Sequence, residues 1–223
     1  MELSVRIPEN LKEITLGQYQ KYLKIQEENE DETFIAQKMI EIFCNTKLEY
    51  VMKMRWKDVN EIVTDLGHMF EEDHKLQKQF TLNGTNYGFI PNLDEISFGE
   101  FIDLDSYLGD WQEMHKAMQV LYRPVDISVR GRYNIKEYKA IIDDSMKDMP
   151  LAYAMSAVFF LLNLGKELSQ VMMDYLQKGV LKEDSHLKQG LITNGNGTHV
   201  FIRQVKEMLQ DLKISHKLGY TKS

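Results

Sequence analysis

The stretch Phe80–Phe89, FTLNGTNYGF, decides the fold class of this chain. Apolar and polar residues alternate on both sides of the central Asn83-Gly84 pair. Both of these residues tolerate the positive φ of a type I′ turn, so the stretch predicts a β-hairpin at about residues 79–90. A lone hairpin is marginally stable in water and needs a covering helix or a third strand. The alternating residues Leu3–Ile7 are the candidate third strand.

Outside the hairpin, the apolar residues recur mainly at helical spacing. The clearest amphipathic helix runs from Trp56 to Glu72, with apolar residues at i, i+3, i+4 and i+7. Ser97 and Glu100 have the spacing of a capping box and predict the start of another helix. We expect residues 126–132 to be a short, extended, basic segment. Further helices are predicted at residues 15–26, 34–44, 111–123, 134–142 and 198–212.

The most apolar run is Leu151–Leu164, LAYAMSAVFFLLNL. It is shorter than the roughly 18–20 residues that a membrane span requires. It therefore predicts a central buried helix, and the one-sided pattern of residues 165–178 predicts that this helix continues towards the surface. No signal peptide is recognisable in the opening MELSVRIPEN, which lacks a basic segment followed by an apolar one.

These patterns predict a mainly α, multi-helix protein with a small β element. We divide the chain into an N-terminal strand and helical unit (1–75), a β-hairpin with acidic helices (76–130), and a C-terminal helical part (131–223). The last part contains a predicted loop at 183–198. We expect all three to form one compact domain, since 223 residues suit a single core.

Charge and cysteine usage limit the possible functions. The single cysteine, Cys44, excludes an intramolecular disulfide and a cysteine-cluster zinc site. The net charge of -7 argues against broad binding to nucleic acid or anionic membranes. Residues 81–120 carry 1 basic and 7 acidic side chains, whereas residues 121–223 carry 15 basic and 11 acidic ones. A basic partner, or the basic end of another copy, could therefore dock on the acidic middle.

No residue pattern indicates catalysis, a cofactor or a metal. His68 and His74 are six residues apart, so on a helix they point to different sides. Asp103 and Asp105 are two apart and diverge in the same way. Cys44 lies on an apolar helix face and has no base beside it in the sequence. We therefore predict that the chain is not an enzyme.

A helix–turn–helix DNA-binding regulator is an alternative of another class. Residues 34–72 could form such a unit, with Arg55, Trp56 and Lys57 at the start of a recognition helix. Few basic residues surround this point, and Asp58 follows at once, so neutralisation of DNA phosphates would be weak. Binding to nucleic acid is therefore not expected.

The segment from Phe80 to Val125 carries a resemblance to a known group of proteins. FTLNGTNYGFIPNLDEISFGEFIDLD, followed by HKAMQVLYRPV, resembles small uncharacterised proteins encoded in the structural modules of tailed bacteriophages. The opening IPENLKEITLGQYQKYLKI, at Ile7–Ile25, is similar in kind. Together these pieces cover roughly a third of the chain.

The resemblance implies a role in protein–protein contacts rather than in chemistry. The chain would be a virion or tail-module component in several copies, including cargo that is stored in the particle and ejected. Alternatively, it would be a tail-assembly chaperone that acts in the host cytoplasm and is not retained. Its partners would be other phage structural proteins, and no membrane is implied. The predicted partner interface consists of Phe98, Glu100, Asp103, Asp105, Asp110, Arg130 and Arg132.

Overall fold

A computed structural model of the chain describes residues 5–71, 74–129, 132–140 and 143–177. Within these ranges the α-helices are α1 (Leu16–Glu28), α2 (Glu32–Phe43), α3 (Leu48–Val51), α4 (Trp56–Glu71), α5 (Phe98–Tyr107), α6 (Met114–Leu121) and α7 (Leu151–Gln177). The strands β1 (Gln79–Leu82), β2 (Thr85–Phe89), β3 (Tyr122–Val129) and β4 (Arg132–Ile135) form one antiparallel sheet in the order β1-β2-β3-β4. The fold is therefore mixed, with a larger β element than the sequence predicted.

The predicted hairpin is confirmed. Strands β1 and β2 pair in antiparallel register, with Leu82 opposite Thr85. Asn83 and Gly84 in the turn have φ values of 49° and 74°, as a type I′ turn requires.

The third strand of the sheet was predicted wrongly. It is β3, which places Tyr122 opposite Phe89, whereas the described residues 5–7 lie outside any strand. Residues 3 and 4 lie outside the described ranges. The predicted extended segment at 126–132 corresponds to the end of β3 and the start of β4.

The predicted helix at 134–142 is also wrong. Residues up to Ile135 belong to β4, and residues 136–140 have no regular structure. The sheet supplies contacts that outweigh the local helical signal: Ile135 pairs with Val125, and the Tyr133 hydroxyl donates a 2.7 Å hydrogen bond to the carbonyl of Phe89.

The N-terminal helices pack around an aromatic cluster. Tyr19 of α1 lies 5.4 Å from Phe70 of α4 and 5.1 Å from Trp111, ring centre to ring centre. Phe43 of α2 bridges this cluster to Tyr22. The capping box at the start of α1, between Thr15 and Gln18, fixes where this packing begins.

Helix α7 covers one face of the sheet, as expected of a central buried helix. The Phe80 ring lies 4.7 Å from the Tyr153 ring, and the Phe89 ring lies 5.7 Å from the Phe160 ring. Ser156 is fully buried within α7, and its hydroxyl is satisfied by bonds to the Gln77 amide and the Tyr153 carbonyl. The polar residue in this apolar run therefore ties the helix to the segment before β1.

The starts of α1 and α7 are joined through their backbones. The amide of Leu16 donates to the carbonyl of Met149 at 2.9 Å, and the amide of Leu151 donates to the carbonyl of Ile14 at 2.8 Å. Thr15 and Pro150 form an isolated antiparallel bridge between these two bonds. One cluster of buried apolar residues, from Leu11 to Leu162, draws on both the helical part and the sheet.

The predicted loop at 183–198 and the predicted helix at 198–212 lie outside the described residues. Among the residues that are described, none of the helices has the length and apolarity of a membrane span.

Candidate protein interaction surface

Helix α5 has a fixed start, because a capping box closes its first turn. The Ser97 hydroxyl accepts a 3.3 Å hydrogen bond from the Glu100 amide, and the Ser97 amide donates a 2.6 Å bond to the Glu100 carboxylate. The sequence pattern predicted this motif, and the structure confirms it.

The inward side of α5 is anchored by a buried ion pair. Arg123 Nη2 of β3 lies 2.8 Å from Glu100 Oε1, and only 14% and 7% of the two side chains are exposed. Burial alone raises the pKa of Glu100, but hydrogen bonds from Ser97 and the charge of Arg123 outweigh it and lower that pKa. Glu100 was predicted to contact a partner, and the structure places its carboxylate in the interior, beside buried Leu104.

The outward side of α5 is apolar and exposed. Phe98 is 79% exposed, Phe101 43% and Ile102 45%. Their i, i+3, i+4 spacing puts them on one side of the helix, which we call the α5 ridge. Such a row of large apolar side chains is typical of a docking surface, because a lone soluble domain rarely leaves one uncovered. Phe98 was among the predicted interface residues, whereas Phe101 and Ile102 were not.

The other predicted interface residues lie in different environments. Asp103 accepts a hydrogen bond from the Tyr138 hydroxyl, which holds α5 against the segment after β4. Asp105 is partly buried near the ridge. Asp110 is exposed and accepts a 2.8 Å bond from the Gln112 amide in the turn before α6. Arg132 is exposed at the start of β4, and Arg130 lies outside the described residues.

A groove lies between the sheet and α7, close to α5. Its volume is about 620 Å³. Its apolar lining combines buried Phe89 and Ile90 with half-buried Phe160 and Leu164, and exposed residues including Lys78, Asp94 and Arg132 also line it. No sequence pattern indicated this groove, because its walls come from four separate segments and none of them is distinctive alone. The lining is Leu76, Lys78, Phe89, Ile90, Pro91, Asn92, Leu93, Asp94, Arg132, Tyr133, Asn134, Phe160 and Leu164.

A smaller cavity, about 270 Å³, has Arg123 in its lining. Its walls include Gln119 and Asp143, whose side chains already bond each other at 2.6 Å. No histidine or cysteine is found in the described lining of this cavity. The described lining therefore offers neither an imidazole nor a thiol to a bound molecule.

Cys44 and His68 lie in different environments. Cys44 is buried, and burial raises the pKa of its thiol to about 11. His68 is exposed, 3.4 Å from Glu71. Within the described ranges, no three His, Cys, Asp or Glu side chains are grouped as a metal would require.

His115 of α6 is buried and contacts both α1 and the segment before α7. Its Nδ1 lies 3.0 Å from Gln20 Nε2, which also donates to the Trp111 carbonyl at 2.7 Å. Its Nε2 lies 3.2 Å from Asp144 Oδ1. Because Gln20 Nε2 is a donor, the geometry requires Nδ1 to be unprotonated and Nε2 to carry the hydrogen. This arrangement suits a neutral, structural imidazole.

The segment that could form a helix–turn–helix has its main cation engaged within the chain. Arg55 makes two hydrogen bonds to Asp58, at 2.9 Å and 3.0 Å. Trp56 is 61% exposed at the start of α4. Pairing with Asp58 neutralises much of the charge that Arg55 could offer to a phosphate.

Comparison of the chain with family models, with curated proteins and with solved structures found no match.

Proposed function

We propose that the chain is a bacteriophage virion or tail-module protein that works through contacts with other proteins. The observation that carries this proposal is the α5 ridge, in which Phe98 is 79% exposed and Phe101 and Ile102 are each more than two-fifths exposed. Large aromatic side chains at helical spacing are the anchors by which one helix enters a partner's groove.

The way in which α5 is held supports this role. The buried Glu100–Arg123 pair and the Tyr138–Asp103 hydrogen bond fix the inward side of the helix. The ridge is therefore presented on a rigid element, which lowers the entropy lost on binding. The assignment to a phage rests on the resemblance of Phe80–Val125, the segment that contains the hairpin and α5.

The protein has two possible fates under this proposal. As a virion component or stored cargo, it stays in the particle with other phage structural proteins. As a tail-assembly chaperone, it uses the same surface and leaves before the particle is complete. The two fates differ in retention and not in the chemistry of the contact.

Mass spectrometry of purified particles tests the proposal. We expect the protein in the particles, at a constant ratio to the major structural proteins. Its absence from particles, together with its copurification with an unfinished tail, would select the chaperone. Absence from both would refute the proposal.

A matched pair of variants tests whether the ridge is the contact. In Phe98→Ser/Phe101→Ser we expect the amount of protein in particles or tail intermediates to fall at least about tenfold, because truncation of a hot-spot residue costs about 2 kcal/mol of binding free energy. In Met52→Ser/Trp56→Ser, which removes two apolar side chains that are 62% and 61% exposed elsewhere, we expect no change. Equal loss in both variants would contradict a specific role of the ridge.

A further inference from the structure

The α5 ridge begins a short distance along the chain from the lining of the groove. Leu93 and Asp94 line the groove, and Phe98 begins α5 only four residues after Asp94. This short separation has a geometric consequence for two copies of the chain. A two-fold axis between them brings each ridge to the groove of the other copy, so that every contact is made twice.

The ridge and the groove are alike in apolar character. The ridge offers Phe98, Phe101 and Ile102, and the groove offers the half-buried side chains of Phe160 and Leu164. Both surfaces are partly in water in the single chain, so contact between them would remove apolar area from water on both sides.

The two surfaces differ in net charge at their margins. Glu95, three residues before Phe98, is exposed and Asp105 of α5 is partly buried, whereas the groove is lined by two exposed cations, Lys78 and Arg132, and one exposed carboxylate, Asp94. In the described part of the chain, no ion pair involves Lys78 or Arg132. These cations are therefore free to meet the carboxylates beside a second copy's ridge, which favours the correct orientation and speeds association.

We infer that the occupant of the groove is the α5 ridge of a second copy, in a two-fold dimer with two ridge–groove contacts. This deepens the proposed function, on which it rests for the view that the ridge is a contact surface, by naming a partner. The assembly closes at two copies and does not continue into an open chain of subunits, because each ridge and each groove is used once.

The oligomeric state of the full chain is the first test. We expect light scattering and sedimentation to give the mass of a dimer at micromolar concentration. In Phe98→Ser/Phe101→Ser the dissociation constant should rise about 100-fold or more, because both ridges lose their anchors. In Met52→Ser/Trp56→Ser it should be unchanged. A monomeric wild-type chain, or a ridge variant that still dimerises, would overturn the inference.

Mixing two defective variants tests the exchange itself. Lys78→Glu/Leu164→Glu places negative charge in the groove, so this groove variant should also be monomeric. A heterodimer of the groove variant with the ridge variant has one contact with both sides intact and one with both sides altered. We therefore expect the mixture to dimerise more strongly than either variant alone. No gain on mixing would overturn ridge–groove exchange and would be the result if two ridges pair with each other.

Circular dichroism of each variant checks that it is folded, and a groove variant that is unfolded is replaced by Lys78→Glu alone. This substitution should weaken dimerisation measurably, and it should reduce or reverse the loss of affinity that added salt causes in the wild type. The particle experiment is independent of these measurements. A monomeric protein found in particles would overturn the dimer and leave the proposed function standing. A dimeric protein that is absent from particles and tails would overturn the proposed function and leave the dimer standing.

Discussion

Helices α4 and α5 are both amphipathic, yet they use their apolar residues in opposite ways. In α4 the stripe of Val59, Ile62, Leu66 and Phe70 is buried against the helical core. In α5 three large apolar residues face outward, while a carboxylate, Glu100, occupies the inward face.

The difference teaches that apolar spacing alone does not give the direction in which a helix faces. In α4 the buried apolar stripe attaches the helix to the core. In α5 the ion pair to Arg123 and the hydrogen bond from Tyr138 attach the helix, together with Leu104 and Leu108. The remaining large apolar side chains, Phe98, Phe101 and Ile102, are then exposed.

The largest expected effect on stability comes from truncating one apolar side chain to alanine in each helix. Leu66→Ala should lower the free energy of unfolding by about 3 kcal/mol, because Leu66 is 0% exposed and its removal leaves a cavity. Ile102→Ala, at a side chain that is 45% exposed, should cost about 0.5 kcal/mol or less. Urea denaturation measures both. Similar losses in the two variants would mean that α5 is buried as α4 is.

A smaller effect is expected when α5 loses its inward anchor. Glu100→Ala should cost about 2–3 kcal/mol in urea denaturation, since it leaves Arg123 without its partner and removes half of the capping box. Glu100→Gln keeps an oxygen for the Ser97 amide, so its loss should be smaller. If both variants are as stable as the wild type, the ion pair does not hold the helix.

Protonation of His115 should weaken the packing of α1 against α6. Burial, followed by the charge of Lys147, lowers the pKa of His115 below that of the unfolded chain, although Asp144 opposes this. The contribution of neutral His115 to the free energy of unfolding is therefore fully present above about pH 6.5. It is lost as the pH falls below this value towards the pKa of His115 in the folded chain. A proton on Nδ1 would also face the Gln20 amide donor.

The comparison of pH 7.5 with pH 5.5 in urea measures this effect. The wild type should lose more free energy of unfolding between these values than His115→Gln, which cannot titrate. An equal loss would assign the pH dependence to other groups.

The smallest effect is expected on the ridge of α5. Phe98→Ser should change the free energy of unfolding of the monomer by no more than about 0.5 kcal/mol, because the side chain is 79% exposed. The measurement is made at a concentration below that at which the wild type associates. A loss above 2 kcal/mol would show that Phe98 packs within its own chain.

Sequence patterns predicted the elements that local signals define. The Asn83-Gly84 turn, the Ser97 capping box and the apolar run of α7 each depend on residues within a few positions of one another. Strand β4 was missed because its local pattern is helical and only the pairing with β3 selects the extended form.

The candidate surface was predictable only in part. Phe98 was among the predicted interface residues and is exposed. The position of Glu100 depends on Arg123, which is 23 residues away and on another element. The groove depends on four separate segments and had no local signal.

The bridge between Thr15 and Pro150 limits how the chain can fold during synthesis. The residues that begin α1 leave the ribosome long before the residues that begin α7, by on the order of ten seconds at about 5–20 residues per second. Until then Ile14 and Leu16, both 0% exposed in the finished fold, lack the backbone and the helix that cover them. A stalled or truncated chain that ends before residue 150 would therefore present this apolar start to the chaperones and proteases of the cell.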